Sequence, residues 1–117
     1  MNKNFWGQSY HLDLHNCNVN KFSKVNLNRF CKELCQEIEM KRHGKTMVER
    51  FGAGKLLGNS ALQFIETSSI SVHADEFFNR IFIDIFSCKR FNCKKAKSFC
   101  MIFFESRNVK SRNLYRF

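Results

Sequence analysis

The chain has 117 residues, 44% hydrophobic and 26% charged, a balance that suits one globular domain and excludes a disordered segment. No apolar run approaches the roughly 20 residues that span a bilayer. The first ten residues lack a secretory apolar core, so a cytoplasmic protein is expected. The formal net charge of +10 suits phosphate backbones. Only Lys94-Lys95-Lys97 and the set Arg107, Lys110, Arg112, Arg116 cluster, however, so a solvated basic face is the plainer reading.

Ser9 to Cys17 alternates Leu12 and Leu14 with His11, Asp13 and His15, the period-2 pattern of a half-buried strand. The histidines and Asp13 read as a polar strand face rather than a metal site. Asp13 is also placed to line a pocket for a cationic substrate. Asn18 to Ser23 reads as a connector. Leu27, Phe30, Cys31, Leu34 and Ile38 then fall three and four apart, which predicts a helix over 26–42 capped by Asn26 and stopped near Gly44. Cys31 and Cys35, one turn apart, read as small core residues. The six cysteines fit a reducing compartment and show no zinc-knuckle spacing, so no metal is expected.

Lys45 to Phe51 is a short strand candidate. Gly52-Ala53-Gly54-Lys55 fails as a phosphate loop, because Leu56 stands where a serine or threonine is required, and reads as a flexible turn. Two strands follow, Ser60 to Glu66 and Ile70 to His73, on either side of a break at Thr67-Ser68-Ser69. Arg80 to Ser87 is apolar in both registers, as in a central strand. Asn92 caps a second helix whose stripe is Cys93, Ala96, Phe99, Cys100 and Phe103. Val109 to Phe117 is a final or edge strand. The order predicts an α+β, two-layer sandwich: an antiparallel sheet with two helices on one face. The other face needs cover, and a second copy of the chain is expected to supply it, giving a homo-oligomer, a dimer of protomers.

The run S-x7-S-x4-H-x14-C, filled by Ser60, Ser68, His73 and Cys88, resembles the small prokaryotic S-adenosylmethionine decarboxylases. Around the cut that family reads Glu-Ser-His-Ile-Ser-Ile-His, then Thr-Trp-Pro-Glu. Here Thr67-Ser68-Ser69-Ile70-Ser71-Val72-His73 precedes Ala74-Asp75-Glu76. The family's Asp-x-Phe-Thr-Cys is matched by Asp84-Ile85-Phe86-Ser87-Cys88, and Gly58-Asn59-Ser60 matches its Gly-x-Ser. The resemblance covers nearly the whole chain.

It implies a precursor that cuts itself between Thr67 and Ser68 into 1–67 and 68–117, Ser68 becoming a pyruvoyl cofactor. The pyruvoyl ketone would form a Schiff base with the substrate amine and take up the electrons released with carbon dioxide. The resemblance assigns His73 proton handling in the cut, Ser60 hydroxyl support, and Cys88 reprotonation of the product. Ser69 is a rival nucleophile, but only Ser68 keeps both the His73 and the Ser60 spacing. S-adenosylmethionine is the implied substrate and polyamine synthesis the implied setting. The Trp-Pro-Glu triplet that helps hold the nucleoside is replaced, so Phe51, Phe77 and Phe78 become the candidate stacking rings. Asp75 or Glu76 would suit the far cationic end of arginine or ornithine, the alternative substrates. A non-enzymatic basic module that binds nucleic acid or a partner is the reading from another class, and the lack of an RNA-recognition aromatic signature weighs against it.

Overall fold

The computed structural model describes residues 4–117. Its strands are β1 (Gly7–His15), β2 (Met47–Phe51), β3 (Gly58–Ile65), β4 (Ser68–Asp75), β5 (Arg80–Ser87) and β6 (Asn108–Arg116); its α-helices are α1 (Lys24–Glu37) and α2 (Cys93–Phe103). All neighbouring strands are antiparallel, in the order β2-β3-β4-β5-β1-β6. Both helices lie on one face, as expected of the two-layer sandwich.

Strand periodicity builds that face. Successive side chains point to opposite sides of a strand, and paired residues share a side. Leu12, Ile83, Val72 and Ala61 therefore form one buried row across the sheet, and Tyr10, Ile85 and Ile70 form the next. α1 lays Leu27, Phe30, Cys31 and Leu34 on these rows, and α2 adds Ala96, Cys100 and Phe103. Phe30 sits against Phe99, Phe103 and Phe104, with ring centroids 4.6–5.9 Å apart.

Among the described residues no helix lies on the opposite face. Phe64, Phe82 and Phe86 stand on it, beside a polar lane of Ser69, Ser71 and His73 along β4. Phe64 is 47% exposed. No helix among the described residues is long and apolar enough to cross a membrane.

Several boundaries differ from the sequence reading. α1 starts at Lys24, because Ser23 Oγ accepts from the Asn26 amide and takes the capping role expected of Asn26. It ends at Glu37 rather than 42. Glu39 turns left-handed (φ 57°) and the Met40 amide bonds back to the Cys35 carbonyl, closing the helix before Gly44 is reached. The connector contains a 3-10 turn, Val19–Phe22, that buries Phe22. A second 3-10 turn, Gly54–Leu56, gives shape to the predicted flexible loop. Gly52 (φ +98°) is required there, since a Cβ would strike the Leu56 carbonyl. β4 begins at Ser68, so the expected three-residue break is a two-residue turn, Glu66-Thr67, closed by the Ile65–Ser68 ladder pair.

Candidate active site

Ser68 is the first residue of β4, and its side chain is on the helix-covered side, 8% exposed. Its Oγ accepts a hydrogen bond from the Cys88 amide at 2.9 Å. Cys88 directly follows β5, the strand beside β4, which is why twenty residues of sequence separation collapse to one contact. The Thr67 hydroxyl lies 2.7 Å from the Cys88 sulfur and 2.7 Å from the Glu66 carbonyl oxygen. Ser68, Thr67 and Cys88 line one cleft of about 870 Å³, together with Met40, Lys41, His43, Phe64 and Phe86. That volume is in the range of small-molecule sites.

Ser60 and His73 form a second cluster elsewhere. They are a cross-strand pair of β3 and β4 on the open face, with Ser60 Oγ 2.9 Å from His73 Nδ1. Ser68 and His73 are five residues apart on one strand. At about 3.3 Å per residue that is ~16 Å, and an odd spacing turns the two side chains to opposite faces. The structure thus brings together Ser68 with Cys88, and Ser60 with His73, but not the two pairs. Ser69 shares the open face with His73, yet lies ~13 Å from it along the strand.

Asp13 lies on the open face in the same cross-sheet row as His73 and Ser60, with Phe82 between. Asp75 and Glu76 lie at the His73 end, and each is already paired within the chain. Asp75 holds Arg80 at 2.5 Å. Glu76 holds Arg50 through two bonds of 2.6 and 3.1 Å. The bonds from Arg50 keep the Glu76 carboxyl below the usual carboxylate range. Phe77 and Phe78 sit in the β4–β5 turn, packed edge to face at 4.8 Å, and Phe51 ends β2 on the same side of the molecule. Lys55 lies over Phe77 and Arg80 over Phe78. Among the described residues no group of three His, Cys, Asp or Glu side chains is arranged to hold a metal ion.

The sequence model of the S-adenosylmethionine decarboxylase family matches residues 8–117, all but the first seven residues. The chain belongs to the S-adenosylmethionine decarboxylase family. It is a carboxy-lyase of polyamine synthesis on that ground, and the family works through a pyruvoyl group. The adenosylmethionine decarboxylase from Aquifex aeolicus VF5 has a similar structure: TM-score 0.80 at 12% identity, over 96% of this chain and 91% of that one. At that identity the likeness speaks for the fold of the decarboxylase. No curated protein matches the sequence.

Two features of this decarboxylase were not read from its sequence. Trp6, 50% exposed, stacks flat on Phe86 (5.4 Å, 7°), whose ring lines the cleft. A lone tryptophan just ahead of a strand was the available signal. Gln63 anchors the segment that carries Lys41 and His43, and nothing in a strand glutamine announces that.

Proposed function

We propose that the chain cuts itself between Thr67 and Ser68, and that fragments 1–67 and 68–117 together decarboxylate S-adenosylmethionine through a pyruvoyl group made from Ser68. The observation that carries this reading is the Ser68–Cys88 contact within one cleft. It gathers the residue to be transformed, the carbonyl before it, and a thiol.

The chemistry begins at the Ser68 hydroxyl. Its oxygen adds to the Thr67 carbonyl carbon, the C–N bond breaks, and the hydroxyl proton passes to the freed Ser68 nitrogen. The Cys88 amide, donating to Oγ, fixes that oxygen during the attack. Removal of the Ser68 α-proton then expels the Thr67 carboxylate. The dehydroalanine left behind adds water and releases ammonia. The pyruvoyl ketone so formed supplies a sink for the electron pair left when carbon dioxide departs. Cys88 Sγ, at the same cleft, delivers a proton to the substrate α-carbon.

His73 and Ser60 enter this scheme through a second copy. They cannot reach Ser68 of their own chain, so a homodimer that packs the open sheet faces together is the reading that uses all four residues. The partner's Ser60–His73 pair then serves as the proton-handling group. Each full site joins the Ser68 end of one protomer to the His73 end of the other. The Trp6–Phe86 shelf and the partner's Phe51 and Phe77 offer flat partners for adenine. The six free thiols suit a reducing, cytoplasmic setting.

Denaturing mass analysis of freshly purified protein tests the cut. Two fragments, 1–67 and 68–117, are expected, the second with a blocked, carbonyl-reactive N-terminus, while Ser68→Ala stays whole. Carbon dioxide release from S-adenosylmethionine, and none from arginine or ornithine, completes the expected result. A chain that stays intact through long incubation overturns it.

A further inference from the structure

Thr67 occupies a backbone conformation that its side chain resists. Its φ is +55°, in the left-handed region. Asn16, Glu39, Asn79 and Glu105 also have positive φ, but Thr67 is the β-branched member of the set. Branching at Cβ makes this region costly, and a turn that needs positive φ at its second central residue calls for glycine or asparagine.

The surroundings impose the conformation. The Ile65–Ser68 ladder pair leaves only Glu66 and Thr67 to reverse the chain. The Glu66 amide is held by the Lys41 carbonyl (3.3 Å) and its carboxylate by Lys41 Nζ (3.6 Å). The Thr67 hydroxyl is pinned between the Glu66 carbonyl and the Cys88 sulfur. Strain of this kind persists only where neighbouring structure over-determines it, and it is concentrated at functional sites.

Taking the proposed cut between Thr67 and Ser68 as its ground, we infer that Thr67 is a positioning residue whose left-handed backbone drives the acyl shift. In the peptide, Thr67 C is joined to Ser68 Cα through the nitrogen alone. In the ester it is joined through Oγ and Cβ, a connection one bond longer. The longer link closes the turn without a left-handed Thr67, so the strain is present before the shift and released after it. A cost carried by the starting state and absent from the product lowers the barrier between them. The Thr67 carboxylate then departs, and the Cys88 thiol loses the hydroxyl that covered it.

The test separates backbone from hydroxyl and stability from rate. Thr67→Gly, which accepts positive φ freely, is expected to cut about tenfold more slowly, the rate equivalent of the strain removed. Thr67→Val, which keeps the branch and loses the hydroxyl, is expected to cut faster than Thr67→Gly. In the uncleavable Ser68→Ala chain, adding Thr67→Gly is expected to raise the melting temperature by about 4 °C. Glycine at an ordinary position lowers stability by loosening the unfolded chain, so a rise is the signature of relieved strain. Equal cutting by Thr67→Gly and wild type overturns the inference while leaving the cut itself intact. Cutting by Thr67→Val no faster than by Thr67→Gly also overturns it and assigns the effect to the hydroxyl contact, and so does the absence of a rise in melting temperature, which would mean that no strain was relieved. A wild-type chain that never cuts overturns both this inference and the proposed function, whereas a Ser68→Ala chain that still cuts overturns the choice of Ser68.

Discussion

Gln63 is wholly buried in β3, and both ends of its amide are in use. Its oxygen accepts from Arg42 Nε (3.1 Å) and from the Thr46 hydroxyl, and its nitrogen donates to the carbonyls of Gly44 (3.1 Å) and Phe64 (2.8 Å). The amide thereby fastens the segment after α1, which supplies Lys41 and His43 to the cleft wall. Replacing it with leucine would keep the volume and strand the partners. Buried polar groups without partners cost about 1–3 kcal/mol each. Gln63→Leu in the uncleavable Ser68→Ala chain is therefore expected to lose about 3 kcal/mol, read from urea unfolding. A loss below roughly 1 kcal/mol would mean that water replaces the amide there. At this same scale the site was half legible. The spacing of Ser60, Ser68, His73 and Cys88 picked out four residues that the fold brings into contact in pairs. That Ser68 and His73 part company was also written in their spacing, because five is odd and strand faces alternate. The arginine partners of Asp75 and Glu76 were hidden for a different reason: Arg50 comes from another strand, and only the register brings it near Glu76.

At the scale of elements, both helices close in the same way. Glu39 after α1 and Glu105 after α2 are left-handed (φ 57° and 53°), and the next residue's amide bonds back to Cys35 or Met101. Glycine is the usual residue at such a C-terminal position, since it has no Cβ to strain. Glu39→Gly is expected to stabilise the uncleavable chain by about 0.5–1 kcal/mol, seen as a higher urea midpoint at unchanged slope. A lower midpoint would show that the glutamate side chain contributes more than its backbone costs. The misplaced end of α1 has the same origin. Ile38 and Met40 continue the apolar pattern past the last helical residue and are buried, so periodicity alone carried the predicted helix too far. β5, by contrast, was legible to the residue, because Ile81, Ile83 and Ile85 fill one face of an otherwise largely apolar run. The Glu66-Thr67 turn was not, because neither residue is one that turns favour.

At the scale of the whole molecule, the sheet has one face sealed by helices and one carrying Phe64, Phe82, Phe86 and the Ser60–His73 pair in the open. Two copies that close these faces would share their sites, and sharing makes a sharp prediction. A His73→Ala chain and a Cys88→Ala chain are each expected to be inactive alone. Produced together, they should recover roughly a quarter of wild-type carbon dioxide release, since half of randomly mixed dimers are mixed and each of those has one intact site. No recovery, with mixed dimers present by mass, would place all four residues in one chain's site.

The sheet order also decides what a cut at Thr67 would leave behind. Residues 1–67 supply β1, β2 and β3, and residues 68–117 supply β4, β5 and β6, yet β1 runs between β5 and β6. The two pieces are threaded through each other, like the fingers of clasped hands. Once made, such a molecule has no simple way back. Its parts learned their places while they were one chain, and after unfolding they would have to find each other as strangers in solution, in an encounter that dilution slows. Refolding of the two pieces would therefore depend on protein concentration, as refolding of the uncut chain would not.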